Sequence, residues 1–236
     1  MDTYQAIFER HEKKYLLTAE QYRQLRERLK GLVRESEYYR SEILNLYYDT
    51  PNYRLIRTSL EKPKYKEKLR LRSYRLPKDD TQAFIEIKKK CNGIVYKRRV
   101  GLPYGRALMF LNTQQEIRPV SQISKEIDYM RWFYQDLSPK MLISYDREAY
   151  EGIAIPGLRI TFDTNIRWQA EVTDLRDMDG GNPILQEGQI LMETKILDAV
   201  PWELSCIFSE LHIFPTSFSK YGMAYMAYTG QRRRRE

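Results

Sequence analysis

Three stretches of this chain alternate charged residues with apolar ones at a period of two, the period of a β-strand, and a fourth spaces its charges in the same way. Lys68, Arg70 and Arg72 interleave with Leu69 and Leu71, and Glu86 and Lys88 interleave with Ile85 and Ile87. Glu193 and Lys195 oppose Met192 and Ile196, while Arg10, Glu12 and Lys14 fall two apart just before Tyr15. One such strand alone is ordinary, with its apolar face in a core and its charges in water. Recurrence changes the reading. Three of the stretches carry Glu-x-Lys and the other carries Lys-x-Arg-x-Arg, so their charged faces are expected to meet around a common anion.

Further elements follow from local signals. Strands are expected at 9–17, 43–48, 66–75, 82–89, 94–100, 140–150, 157–164 and 188–197, with Asn92-Gly93 as a hairpin turn between two of them. Thr18 and Gln21 form a capping box ahead of a stripe of Tyr22, Leu25, Leu29 and Leu32, and further helices are expected at 105–112, 121–137 and 202–211. Residues 216–227 show no assignable pattern. Eight strands joined mostly as hairpins imply an α+β fold, a closed eight-stranded antiparallel β-barrel or tunnel with flanking helices. No repeat, linker or break in composition divides the chain. A single domain over 1–230 is expected, followed by a basic tail at 231–236.

Placing all charged faces inward gathers Arg10, Lys14, Lys68, Arg70, Arg72, Lys88, Lys97, Arg99, Arg147, Arg159 and Lys195 with Glu12, Glu86, Asp163 and Glu193. That face would carry +7, against +8 for the whole chain. Such a density of cations cannot be enclosed without counter-anions, because desolvating even one unpaired charge costs several kcal/mol. A phosphate chain supplies them, with Arg making forked contacts and Lys acting as a point charge. Two cysteines and two histidines exclude a disulfide framework and a thiolate or imidazole zinc site, and fit a reducing, cytoplasmic setting. No apolar run reaches the length of a membrane span.

With these residues in hand, the chain resembles the triphosphate tunnel metalloenzymes, and within them the vacuolar transporter chaperone (VTC) type of polyphosphate polymerase domain. The resemblance is carried, in order, by Arg10-His11-Glu12-Lys13-Lys14-Tyr15, Leu46-Tyr47-Tyr48-Asp49-Thr50-Pro51, Lys68 to Arg72 and Phe84 to Lys88. It continues through Tyr145 to Tyr150, Arg159 to Asp163, Glu193-Thr194-Lys195 and Ser219-Lys220-Tyr221. It implies transfer of the γ-phosphate of ATP to inorganic polyphosphate with Mn²⁺ or Mg²⁺ as cofactor. Lys14, Arg70, Arg72, Lys88, Arg147 and Arg159 would act on the reacting phosphates. Arg10, Lys97, Arg99, Tyr145, Lys195, Ser219 and Lys220 would bind substrate, and Glu193 and Glu12 would hold the metal. The wider superfamily's Glu-x-Glu-x-Lys stands here as Arg10-x-Glu12-x-Lys14, which favours the polymerase branch. No nucleic-acid partner is implied. With no membrane segment or regulatory SPX domain expected in these residues, passage of product across a membrane would need a separate protein.

Two other readings stay open on the residues alone. A hydrolase of tripolyphosphate or short polyphosphate would orient water with a carboxylate such as Glu12 or Glu86. A polyanion-binding barrel without turnover would pair its cations with aromatics on the same strand face.

Overall fold

In the computed structural model the described residues are 11–92, 94–113, 117–118, 120–197 and 199–230, with only the backbone of His11. Arg10 and the basic tail at 231–236 lie outside them.

Ten strands and six α-helices form among the described residues. In chain order they are β1 (His11–Leu17), α1 (Ala19–Arg28), β2 (Val33–Asp49), α2 (Arg54–Leu60), β3 (Tyr65–Ser73), β4 (Gln82–Cys91), β5 (Ile94–Pro103), α3 (Tyr104–Asn112) and α4 (Gln122–Tyr134). Then come β6 (Ser138–Gly152), β7 (Arg159–Ala170), β8 (Asn182–Pro183), β9 (Ile190–Ile196), α5 (Trp202–Glu210), β10 (Pro215–Thr216) and α6 (Lys220–Tyr228). All eight expected strands are present, and β8 and β10 are two-residue additions.

The strands pair in the order β10-β1-β9-β7-β6-β2-β3-β4-β5, with β8 on β7. This corrects the expectation of a closed eight-stranded barrel: the hydrogen-bonded path has two ends. Both ends are poor templates for further pairing. β10 is two residues long and begins at Pro215, which has no N–H to donate, and β5 presents Lys97, Arg98 and Arg99 along its length.

Two compact units divide the chain. The first comprises the described residues of Met1–Ser41, Asp146–Asn165 and Leu185–Phe218. Its core joins Tyr15 and Leu17 of β1, Leu25 and Leu29 of the α1 stripe, Ile160 and Phe162 of β7, Met192 of β9, and Leu204 and Phe208 of α5. Thr18 caps α1 as expected, accepting from Gln21 N while the Gln21 side chain accepts from Thr18 N. The second unit comprises the described residues of Glu42–Tyr145, Ile166–Ile184 and Ser219–Glu236. Leu44 and Leu46 of β2, Leu69 and Leu71 of β3, and Ile85 and Ile87 of β4 pack there with Phe110, Ile127 and Met130 from α3 and α4. Leu69, Leu71, Ile85 and Ile87 are fully buried, and each contributes about 2 kcal/mol by leaving water. Period-two geometry then fixes Lys68, Arg70, Arg72, Glu86 and Lys88 on the other face of the sheet.

Two helices went unassigned from sequence. Local signals do not reveal α2, because its cap comes from upstream: Asp49, at the end of β2, accepts from the backbone N–H groups of Leu55 and Ile56. Its own N-cap position, Tyr53, has a left-handed backbone and no capping side chain. Helix α6 is capped by Ser219, whose hydroxyl accepts from Gly222 N. It lacks a polar face sharp enough to show a stripe.

Candidate functional site

In the first unit, register builds a lattice of charge. Glu12 stands opposite Lys195 and Lys14 opposite Glu193 on the β1–β9 ladder. Across β9, Lys195 faces Arg159 and Glu193 faces Thr161 of β7. Lys14 Nζ lies 3.6 Å from Glu193 Oε1 and donates to the Phe218 carbonyl at 2.8 Å. From β6, Arg147 donates Nε and Nη2 to the two oxygens of Asp163 at 2.6 and 2.7 Å, with Nη2 also 3.8 Å from Glu193 Oε2. Asp163 is fully buried, so the fork of Arg147 compensates a carboxylate that water does not reach. Arg159 is exposed. The Thr161 hydroxyl is buried, has no hydrogen-bond partner among the described residues, and can donate to an incoming oxyanion.

Metal-ligating capacity is modest. Among the described residues no group of three or more His, Cys, Asp or Glu is arranged to hold an ion. Glu12 lies 4.0 Å from Lys195, and Glu193 sits between Lys14 and Arg147. These residues fit an ion held by one or two carboxylates and otherwise by substrate phosphates, the usual arrangement for Mg²⁺. They do not fit an all-protein cage.

In the second unit the centre is Glu86, which is 1% exposed. Arg70 donates Nε and Nη2 to its Oε2 at 2.8 and 2.6 Å, and Arg72 Nε lies 3.8 Å from the same oxygen. Lys97 Nζ is 3.4 Å from Oε1. Burial alone would lift the Glu86 carboxyl, but Arg70, Arg72 and Lys97 outweigh it and bring the pKa down to about 2. The guanidiniums are themselves positioned by neighbours. Tyr47 accepts from Arg70 Nη1 at 3.0 Å, Asn45 from Arg72 Nε at 2.9 Å, and Tyr145 from Arg72 Nη2 at 3.4 Å. On β4 and β5, Lys88 stands opposite Lys97 and Arg99 opposite Glu86. The Arg99 guanidinium also lies 4.8 Å from the centre of the Phe84 ring.

The start of α6 joins this cluster. Lys68 Nζ donates to Ser219 Oγ at 3.0 Å, and Lys220 Nζ lies 4.4 Å from the centre of the Tyr145 ring. Tyr221 stacks on Tyr47 with centroids 4.5 Å apart and donates its hydroxyl to buried Asp49 at 2.9 Å. Burial pushes the Asp49 carboxyl above its ordinary value, against the pull of backbone N–H donors and Tyr221. Tyr221→Phe removes one donor from that carboxylate and is expected to lower stability by about 1–2 kcal/mol. Urea denaturation reads this as a lower midpoint at unchanged slope; an unchanged midpoint would mean the bond contributes nothing.

Among the expected site residues, the structure gathers Lys14, Arg147, Arg159, Lys195, Glu12 and Glu193 in the first unit. Arg70, Arg72, Lys88, Lys97, Arg99, Tyr145, Ser219 and Lys220 are gathered in the second. Arg10 lies outside the described residues. Sequence reasoning gave no role to Asn45, Tyr47, Asp49 and Tyr221, although the last three lie in stretches that carry the resemblance. The first two were within reach, since they alternate with Leu44, Leu46 and Tyr48 on one strand. Asp49 ends β2, and its partnership with Tyr221 spans 172 positions, a distance over which no local signal operates.

Comparison with known proteins supplies the remaining findings. The family model described as VTC domain matches residues 9–228. No match was found among curated proteins. Among solved structures, a candidate adenylate cyclase from Bacillus halodurans is 14% identical, with 88% of this chain and 92% of that one covered at a TM-score of 0.55. A candidate adenylyl cyclase from Hippeastrum, described as having a dominant triphosphatase activity, is 14% identical over 93% of this chain and 95% of its own at a TM-score of 0.52. At these identities the likeness establishes a shared fold.

Proposed function

This chain belongs to the VTC domain family, and from that premise we propose that it transfers the γ-phosphate of ATP onto a growing inorganic polyphosphate chain, with residues 1–230 acting as one catalytic domain. The observation that carries the reading is the set of cations assembled around Glu86: Arg70, Arg72 and Lys97, fixed by a carboxylate too acidic to serve as a base at neutral pH.

Phosphoryl transfer asks a protein mainly to position its reactants and neutralise charge. Arg70 and Arg72 are oriented in advance by Glu86, Tyr47 and Asn45, and therefore reach phosphate oxygens with little loss of side-chain freedom. Lys14, Lys88, Arg147 and Arg159 supply further charge, and Lys97, Arg99, Tyr145, Lys195, Ser219 and Lys220 bind the substrate chain. A terminal oxygen of the acceptor polyphosphate forms the new bond to the γ-phosphorus. The bond from that phosphorus to the β–γ bridging oxygen breaks, and its electron pair leaves with ADP. The attacking oxygen is already ionised, so no proton need be removed. Mn²⁺ or Mg²⁺, when bound through Glu193 or Glu12 and the phosphates, supplies neutralisation of charge on the phosphate oxygens. Water as nucleophile would call for a carboxylate base; Glu86 is committed as a counter-ion, which leaves Glu12 for that role.

The test is incubation with ATP and Mn²⁺ followed by electrophoresis stained for polyphosphate. Long product is expected. ADP and phosphate alone would assign hydrolysis, and metal-insensitive binding of nucleic acid without turnover would assign a binding module. Arg159→Ala, at an exposed position, is expected to leave stability within about 0.5 kcal/mol and to cut turnover about a hundredfold. Full activity in that variant would remove Arg159 from the site. ATP and a reducing cytoplasm are the proposed setting. No helix among the described residues is long and apolar enough to cross a membrane, and a separate membrane protein is the proposed partner for moving product across one.

A further inference from the structure

Helix α4 carries two stripes, and the fold uses one of them. Ile123, Ile127, Met130 and Tyr134, spaced four, three and four apart, pack into the core of the second unit. A second stripe repeats that spacing on the outside: Lys125, Tyr129 and Trp132, then Asp136 just past the helix end, with Phe133 beside Trp132. A helix on a protein surface ordinarily shows one apolar side, and a helix apolar on both sides belongs between two layers.

This outer face is aromatic and exposed. Tyr129, Trp132 and Phe133 are 59%, 70% and 47% exposed. Their rings lie against one another, with the Tyr129 centroid 5.7 Å from that of Trp132 and 6.0 Å from that of Phe133. Tyr65 extends the surface. It donates to Glu67 Oε2 at 2.9 Å, while Tyr134, whose ring centroid is 4.9 Å from that of Phe133, donates to Oε1 at 2.7 Å. With Tyr65 46% exposed, the four side chains leave roughly 400 Å² of aromatic surface in water. Contiguous patches of that size mark interaction sites.

Charge identifies the occupant. Lys125 lies four residues before Tyr129, and Asp136 four residues after Trp132. Both are exposed, and neither has an ion pair among the described residues. Between them Arg131 donates to Asp128 at 3.1 Å, so that pair leaves no net charge at the centre to repel a like surface. A two-fold axis through the turn between Tyr129 and Trp132 lays the helix antiparallel on its own copy and brings Lys125 of each against Asp136 of the other. A parallel pairing would set lysine on lysine and aspartate on aspartate.

We infer that the second unit binds a second copy of this chain through the outer face of α4, in an isologous dimer with Tyr129, Trp132 and Phe133 at its centre. With flanking polar residues the aromatic patch reaches the roughly 800 Å² per partner of a standard interface. The inner stripe of α4 packs with Leu69, Leu71, Ile85 and Ile87, on the apolar face of the sheet. The charged face with Arg70 and Glu86 therefore stays open in the dimer.

Sedimentation velocity of the full chain over a concentration series reads the association. The wild type is expected to dimerise with a dissociation constant of about 1 μM. Trp132→Ala removes the largest ring from both copies and should weaken the dimer by about thirtyfold or more. Lys125→Glu alone and Asp136→Lys alone each set like charges face to face twice, and each should weaken it about tenfold. The two charge changes together restore opposite signs and should return affinity to within about twofold of the wild type. All three positions are exposed, so unchanged thermal midpoints are expected and separate lost association from lost folding.

A wild type that stays monomeric at about 0.1 mM overturns the inference; if that monomer floats with vesicles of anionic phospholipid, the occupant is a lipid surface. A dimer that ignores Trp132→Ala overturns α4 as its seat. A double charge variant as weak as the single ones overturns the two-fold pairing of Lys125 with Asp136. None of these results bears on phosphotransfer, because none of the changed residues belongs to the candidate site.

Discussion

Arg70→Ala is expected to lose turnover and about 3–5 kcal/mol of stability together, because it strips the main counter-ion from a buried carboxylate. Glu86 receives both of its short contacts from Arg70, at 2.8 and 2.6 Å, while Arg72 and Lys97 stand off at 3.8 and 3.4 Å. Arg70 therefore has a structural role as counter-ion beside its expected one on phosphate. The pH dependence has a definite sign. Glu86 is depressed to about 2 in the folded protein, from about 4.3 in an unfolded chain, which is worth about 3 kcal/mol. A depressed carboxylate contributes stability above its unfolded value and loses it as pH falls through the folded one, so the contribution fades between about 4.3 and 2. Without Arg70 the depression shrinks, and acid unfolding followed by circular dichroism should begin at higher pH than in the wild type. An acid transition at the same pH in both proteins would mean Arg70 does not hold Glu86 ionised. Arg70→Lys keeps the charge without the fork, so it should recover more stability than activity.

Arg147→Ala is the corresponding change in the first unit and is also expected to cost about 3–5 kcal/mol, since Asp163 would be left charged and buried. Adding Asp163→Asn should return a large part of that loss, because the neutral amide does not carry the same desolvation penalty. A double-mutant cycle by urea denaturation measures the coupling, expected at about 2–3 kcal/mol. Additive losses would show that the two side chains act independently despite their 2.6 and 2.7 Å contacts.

Much of this arrangement was legible in the sequence, for a simple reason. Period-two alternation is a property of neighbours along the chain, so Leu69 and Leu71 in the core dictate where Lys68, Arg70 and Arg72 point. The capping box at Thr18 and Gln21 is local in the same way. What alternation cannot supply is pairing. That Arg70 meets Glu86 while Arg72 leans on Asn45 depends on register across β2, β3 and β4. Strand count likewise implied eight long strands, but closure depends on what the end strands offer, and Pro215 and the cations of β5 oppose it. The first half of β2 was missed because residues 33–42 are largely polar and exposed, which hides the strand period.

The bond from Tyr221 to Asp49 has a consequence for the order of assembly during synthesis. Asp49 leaves the ribosome 172 residues before its partner, and every described residue of the first unit precedes Ser219. The first unit can therefore be complete while the second still holds an open, carboxylate-lined seat. Only when α6 emerges and settles there does the basic strand β3 gain its last neighbours, so a nascent chain halted before Tyr221 would carry its guanidiniums on an unfinished scaffold.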